Sequence, residues 1–116
     1  MFRLTVERII GWTSATVLAG ERRTADRLIN KICCDSRALQ AGDLFIALRG
    51  DRFDGHDFLE QAVLQNAAAL LIDDRLAWQQ LQPNDEPVAK YIPANQPLVL
   101  LVADTLKALQ DIAAGY

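Results

Sequence analysis

Three short, uninterrupted apolar runs, LFIAL (residues 44–48), AAALLI (67–72) and LVLLV (98–102), constrain the fold more than any other feature of the chain. A strand with one wet face alternates polar and apolar residues, whereas a continuous run marks a strand covered on both faces. Between the first two runs lies DFLEQAVLQN (57–66), in which Phe58, Leu59, Ala62 and Val63 make one apolar stripe of a helix. Asp57 and Glu60 have capping-box spacing, and Asn66 tolerates the left-handed conformation wanted at a helix end. A second helix is expected over 4–13, with Thr5 as N-cap and Leu4, Ile9, Ile10 and Trp12 on one face. A third begins at Asp104 and turns Leu106, Leu109, Ile112 and Ala113 inward.

The remaining segments fit around these. LINKICC (28–34) reads as a strand, Ala19-Gly20-Glu21 and Ala41-Gly42-Asp43 as turns, and 74–82 as a short helix containing Trp78. Residues 83–97 hold all four prolines and are expected to be loop or edge. The order of strands and helices gives an α/β domain: a small mixed sheet flanked by helices, with some parallel pairing. At 116 residues the chain is long enough for a single domain with a single core. A terminal helix ending in AAGY suggests a domain cut from something longer.

Composition excludes more than it assigns. A formal charge of −3 gives no support for a nucleic-acid partner. No apolar stretch approaches the roughly 20 residues needed to span a bilayer, so no membrane insertion is expected. Arg3 and Glu7 interrupt the start where a signal peptide needs an apolar region, and a cytoplasmic protein is the simplest reading. Cys33 and Cys34 are neighbours outside any metal-ligand spacing, and are expected as reduced strand residues, one facing each side.

Two polar segments follow apolar strands: Asp35-Ser36-Arg37, and residues 49–57, which gather two glycines, two arginines, three aspartates and the only histidine. In open α/β sheets ligands sit at the carboxyl ends of strands, so successive post-strand loops can converge on one ligand. A serine hydroxyl, backbone amides near Gly50 and guanidinium groups suit a phosphate or a uracil-like ring. Each residue also has a local reading. Ser36 can make a turn, Asp54 can cap a helix, His56 can be structural, and Arg49 and Arg52 can be solvated charges. The sequence has no G-x-x-x-x-G-K-S/T loop, no G-x-G-x-x-G, no triad context and no metal cluster, so neither a catalytic residue nor a metal ligand is assigned.

The linked motifs Cys34-Asp35-Ser36-Arg37, AGDLFIAL (41–48), Gly50-Asp51 and FDGHDF (53–58) resemble the N-terminal domain of the Mur ligases. Ala41 stands where proline is common in that family, and Asn66 where glycine is common; both are conformationally tolerable. The resemblance is strongest to the branch that adds D-alanyl-D-alanine. The branch that adds the third amino acid is the alternative, as is a stand-alone binding module of the same fold. It implies a full enzyme that joins D-alanyl-D-alanine to a UDP-N-acetylmuramoyl tripeptide with ATP and Mg2+. This chain would then be the N-terminal domain that holds the UDP-N-acetylmuramoyl peptide, with the central ATPase and C-terminal domains lying outside it. A monomer and no cofactor in this domain are expected. The site residues implied are Ser36, Gly50 and Asp51, with Arg37, Arg49 and Arg52 as secondary contacts. Asp54, Gly55, His56 and Asp57 would shape the loop and start the helix.

Overall fold

The computed structural model describes residues 4–19, 28–50, 54–79 and 98–115. Along them run α1 (Val6–Thr13), β1 (Thr16–Ala19), β2 (Ile32–Cys33), β3 (Leu44–Ile46), a 3-10 turn (Gly55–Phe58), α2 (Leu59–Leu64), β4 (Ala69–Ile72), α3 (Arg75–Gln79), β5 (Leu98–Leu101) and α4 (Thr105–Gly115). The strands form one sheet in the order β1-β5-β4-β3-β2. β2 to β5 are mutually parallel, with Phe45 opposite Leu70 and Leu70 opposite Val99, while β1 pairs antiparallel with β5.

The continuous apolar runs are explained by a core on each face. Leu44, Ile46, Leu71, Leu98 and Leu100 face α1 and α4, packing with Ile9, Ala108 and Ile112. Phe45, Leu70, Ile72 and Val99 face the other way, against Leu59, Ala62, Val63 and Trp78. Side chains alternate across a strand, so burying both faces requires every position to be apolar. Cys33 is buried in the second cluster and Cys34 packs against the first, one on each side as expected; both are free thiols.

Local signals hold at several ends. Thr5 caps α1 by accepting from the Arg8 N–H, Asn66 adopts φ 64°, and Gly42 adopts φ 87° in the turn before β3. The Asp104 carboxylate accepts from the Leu106 and Lys107 N–H groups at the start of α4. Other expectations are corrected. The strand expected over 28–34 shrinks to two residues, with Leu28 making only an isolated bridge to Thr5. Asp57 does not cap the second helix; Asp54 caps the 3-10 turn instead, accepting from the His56 N–H. Phe58 is 38% exposed rather than core, and Leu106 and Ala113 face outward while Ala108 and Ile112 take the inner face. Residues 83–97, Gly20 and Glu21, Asp51 and Arg52 lie outside the described residues. Among the described residues no helix is long and apolar enough to cross a membrane.

Parallel pairing has one consequence that matters for function. β2, β3, β4 and β5 all end at the same edge, so residues 34–37, 47–50, 73–74 and 102–104 gather there, with Asp54 bridged to Arg49.

Candidate functional site

The turn after β2 is held by its own side chains. The Arg37 N–H donates to Asp35 Oδ1 (2.9 Å), and its guanidinium grips both carboxylate oxygens through Nε (3.2 Å) and Nη2 (3.0 Å). These Arg37 hydrogen bonds and its charge hold the Asp35 carboxyl below the usual carboxylate range and push Arg37 up in turn. Two of the five guanidinium N–H groups serve that grip, which leaves three directed elsewhere. Ser36 is only 4% exposed. Its carbonyl accepts from the Leu39 N–H (3.4 Å). In the amide orientation that satisfies both neighbours, the Gln65 amide nitrogen donates to the carbonyls of Ser36 (3.0 Å) and Leu39 (3.2 Å). The end of α2 therefore ties down the Ser36 turn.

Cys34, Asp35, Ser36, Arg37 and Phe58 line a cavity of about 400 Å³ at this corner of the edge. Burial, then the neighbouring Cys33, pushes the Cys34 thiol up, which disfavours its thiolate.

A second polar cluster joins the ends of β3, β4 and β5. Arg49 lies 2.7 Å from Asp73 Oδ1, 3.5 Å from Asp54 Oδ2 and 3.7 Å from Asp74 Oδ2. His56 is buried between two of these partners. The Asp73 N–H donates to Nε2 (3.1 Å), so Nε2 carries no proton and Nδ1–H donates to Asp54 Oδ1 (2.6 Å). Nε2 is also 3.3 Å from Asp73 Oδ1, and the Arg49 charge on that oxygen offsets the repulsion between two acceptors. Burial raises the Asp54 carboxyl, but hydrogen bonds from the His56 N–H and ring, with the charge of Arg49, outweigh it and leave Asp54 below its usual range. Thr105 completes the cluster: its N–H donates to Asp73 Oδ2 (3.1 Å) and its hydroxyl to the Ala47 carbonyl (2.7 Å).

Gly55 is the glycine this loop cannot replace. A Cβ there would sit 2.8 Å from Leu48 N, 2.9 Å from Ala47 Cα and 3.0 Å from Leu48 O, all backbone atoms. The close approach lets the Gly55 N–H donate to the Leu48 carbonyl (2.7 Å), and an Arg49–Asp54 bridge closes the loop.

The structure thus divides the residues marked in the sequence. Ser36 and Arg37 line one cavity, while Arg49 lines another, of about 360 Å³, with Leu48, Asp73 and residues 103–106. Gly50 is exposed just beyond the end of β3. Asp54, Gly55 and His56 shape the loop. Asp57 is exposed and serves no cap, because the helical turn starts three residues earlier than the capping-box spacing implied. Sequence reasoning missed the site roles of Phe58, Asp73 and Thr105. The signal for Asp73 was present, since it directly follows a buried run as the two marked loops do. Among the described residues no group of three or more His, Cys, Asp and Glu could hold a metal ion. His56 has both ring nitrogens committed, so among the described residues of this edge it is not a free base beside a nucleophile.

In this mixed α/β sheet, Ser36, Arg37 and Phe58 line one cavity at the edge where the parallel strands end. The chain belongs to the Mur ligase family: the model for the Mur ligase family, catalytic domain, matches residues 28–116. The UDP-N-acetylmuramoyl-tripeptide–D-alanyl-D-alanine ligase of Synechocystis is 38% identical over 114 residues, covering 98% of this chain and 22% of that protein. Its Bacillus subtilis counterpart is 35% identical over 116 residues, covering 100% and 22%. A crystal structure of MurF from Acinetobacter baumannii superposes with a TM-score of 0.72 at 26% identity, covering 99% of this chain and 21% of that one. Ligases named for adding 2,6-diaminopimelate match more weakly. The chain spans about a fifth of the length of these relatives.

Proposed function

We propose that the chain is the N-terminal, UDP-N-acetylmuramoyl-peptide-binding domain of a cytoplasmic, monomeric ligase that joins D-alanyl-D-alanine to UDP-N-acetylmuramoyl tripeptide at the expense of ATP. The observation that carries this reading is the Ser36 turn, fixed by Asp35, Arg37 and Gln65 beside a cavity of nucleotide-fragment size, in a member of this family. Ser36 and the three remaining Arg37 N–H groups supply donors for the uridine diphosphate. Gly50 lies at the same edge, and Asp51 and Arg52, which follow it in the sequence, are assigned further contacts with the substrate. Arg49 acts through the loop, because its charge is already shared among Asp54, Asp73 and Asp74.

ATP and Mg2+ are assigned to other domains of the full-length enzyme. The sequence has no phosphate-cradling loop, and among the described residues Asp54, Asp73 and Asp74 already surround Arg49. Both belong to the central domain of the whole enzyme. The present domain contributes positioning: fixing the nucleotide end of a long substrate lowers the entropic cost of presenting its peptide carboxylate to the other domains. A second reading, a ligase adding the third amino acid, is favoured only by the diaminopimelate-ligase matches.

Phosphate release by the full-length enzyme tests the proposal. Turnover is expected only with ATP, UDP-N-acetylmuramoyl tripeptide and D-alanyl-D-alanine together. Turnover with the UDP-linked dipeptide and diaminopimelate would establish the second reading instead, and turnover with neither would refute both.

A further inference from the structure

Phe58 is where helical periodicity and the structure part. An α-helical stripe through Leu59, Ala62 and Val63 includes residue 58, yet the chain enters α2 through a 3-10 turn. With three residues per turn, the buried position before Leu59 falls on His56 rather than on Phe58. Phe58 is left 38% exposed on the wall of the cavity that holds Ser36 and Arg37. Single exposed apolar residues are ordinary, and Leu64 and Leu76 are more exposed than Phe58. Phe58 differs in its surroundings: it is the aromatic member of a cavity otherwise lined by Cys34, Asp35, Ser36 and Arg37, with the Asp35–Arg37 ion pair among them.

Both sides of that cavity are anchored to one helix. Leu59, the residue after Phe58, is fully buried, and Gln65 at the far end of α2 holds the carbonyls of the Ser36 turn. The backbone on both sides of the cavity is therefore anchored before any ligand arrives. An aromatic face beside donor groups suits a planar heteroaromatic ring, which stacks on the face while its edge meets the donors.

We infer that Phe58 is a binding residue of the nucleotide site, the surface on which the pyrimidine ring of the uridine nucleotide stacks. The inference rests on the proposed binding of a UDP-linked substrate and adds the contact that holds its base. Ser36 and Arg37 then serve the polar rim, and Phe58 supplies affinity from the π-face of the base.

The test uses full-length enzyme and UDP as the probe. Phe58→Ala is expected to weaken UDP binding about 5- to 100-fold, Phe58→Leu to recover little of the loss, and Phe58→Tyr to bind near the wild-type level. In the wild type, nuclear Overhauser effects are expected between phenylalanine ring protons and uracil H5 and H6, and their loss is expected in Phe58→Leu. Unchanged UDP affinity in Phe58→Ala, or absence of those ring-to-uracil effects, would overturn the inference. If that occurred while Ser36→Ala still weakened UDP binding, the nucleotide site would stand without Phe58. Absence of UDP binding by the wild type would remove both the site and the stacking contact. The wild-type spectrum decides the matter even if a variant fails to fold.

Discussion

Nη1 of Arg49, a half-exposed side chain, lies 2.7 Å from Oδ1 of Asp73, whose side chain is only 6% exposed. The arginine reaches inward from the loop after β3 to neutralise a carboxylate at the end of β4, and that carboxylate receives the first N–H of α4. One ion pair thus joins three elements at the edge where ligands are expected. An uncompensated buried charge is expensive, so the pair fixes the loop that begins at Arg49.

Arg49→Met keeps the aliphatic stem and removes the charge. Asp73 would lose its nearest cation, and a loss of about 1–3 kcal/mol of stability is expected in denaturant melts. A loss below about 0.5 kcal/mol would mean that water replaces the guanidinium at no cost, as for a surface pair.

His56 should show its proton on Nδ1. Imidazole 15N chemical shifts are expected to report that tautomer, and His56→Ala to cost about 2–4 kcal/mol through the Asp54 and Asp73 partners it abandons. A ring protonated on Nε2 would contradict the hydrogen bond from the Asp73 N–H.

The depressed Asp54 carboxyl makes stability depend on acid pH. Its folded value lies below its unfolded one, so the unfolded chain takes up the proton first as pH falls. The contribution is complete above the ordinary carboxylate value of about 3.9 and is lost as pH falls through the folded value. Asp54→Asn should flatten the stability profile below about pH 4. Asp35 shifts in the same direction but is fully exposed, so Asp35→Asn should flatten the profile less, and less still in high salt. Identical acid profiles for wild type and Asp54→Asn would contradict the cap.

Two aromatic and two glycine positions separate structural roles from ligand roles. Phe45→Ala should cost about 3–5 kcal/mol as a fully buried truncation, whereas Phe58→Ala should stay within about 1 kcal/mol. Gly55→Ala should cost about 1–3 kcal/mol because its Cβ meets only backbone, while Gly50→Ala at an exposed position just beyond β3 should leave the melting temperature unchanged. Equal costs at the two glycines would contradict the close approach at Leu48.

The buried strands were legible because two-sided burial leaves no polar position to confuse the pattern. The turn at Gly42, the cap at Asp104 and the left-handed Asn66 were legible because each is a local backbone demand. Phe58 was not, since the choice between 3-10 and α geometry over four residues shifts which positions face inward without changing composition. Asp73 was visible only as an acid after a strand; its partners Arg49, His56 and Thr105 lie 24, 17 and 32 residues away in sequence. The expected convergence of the Ser36 and Gly50 loops also depends on tertiary placement, and the structure gives their strand-end residues two separate cavities on one edge.

Calorimetric titration of UDP-N-acetylmuramoyl tripeptide into full-length enzyme, wild type against Ser36→Ala, tests the central claim most directly. The Ser36 turn is held through backbone carbonyls, so the variant should melt as the wild type does. Loss of one hydrogen bond to the ligand should weaken binding by about 0.5–1.5 kcal/mol, or more if a phosphate oxygen is the acceptor. Unchanged affinity with intact stability would place the nucleotide elsewhere and reduce the Asp35-Ser36-Arg37 segment to a turn.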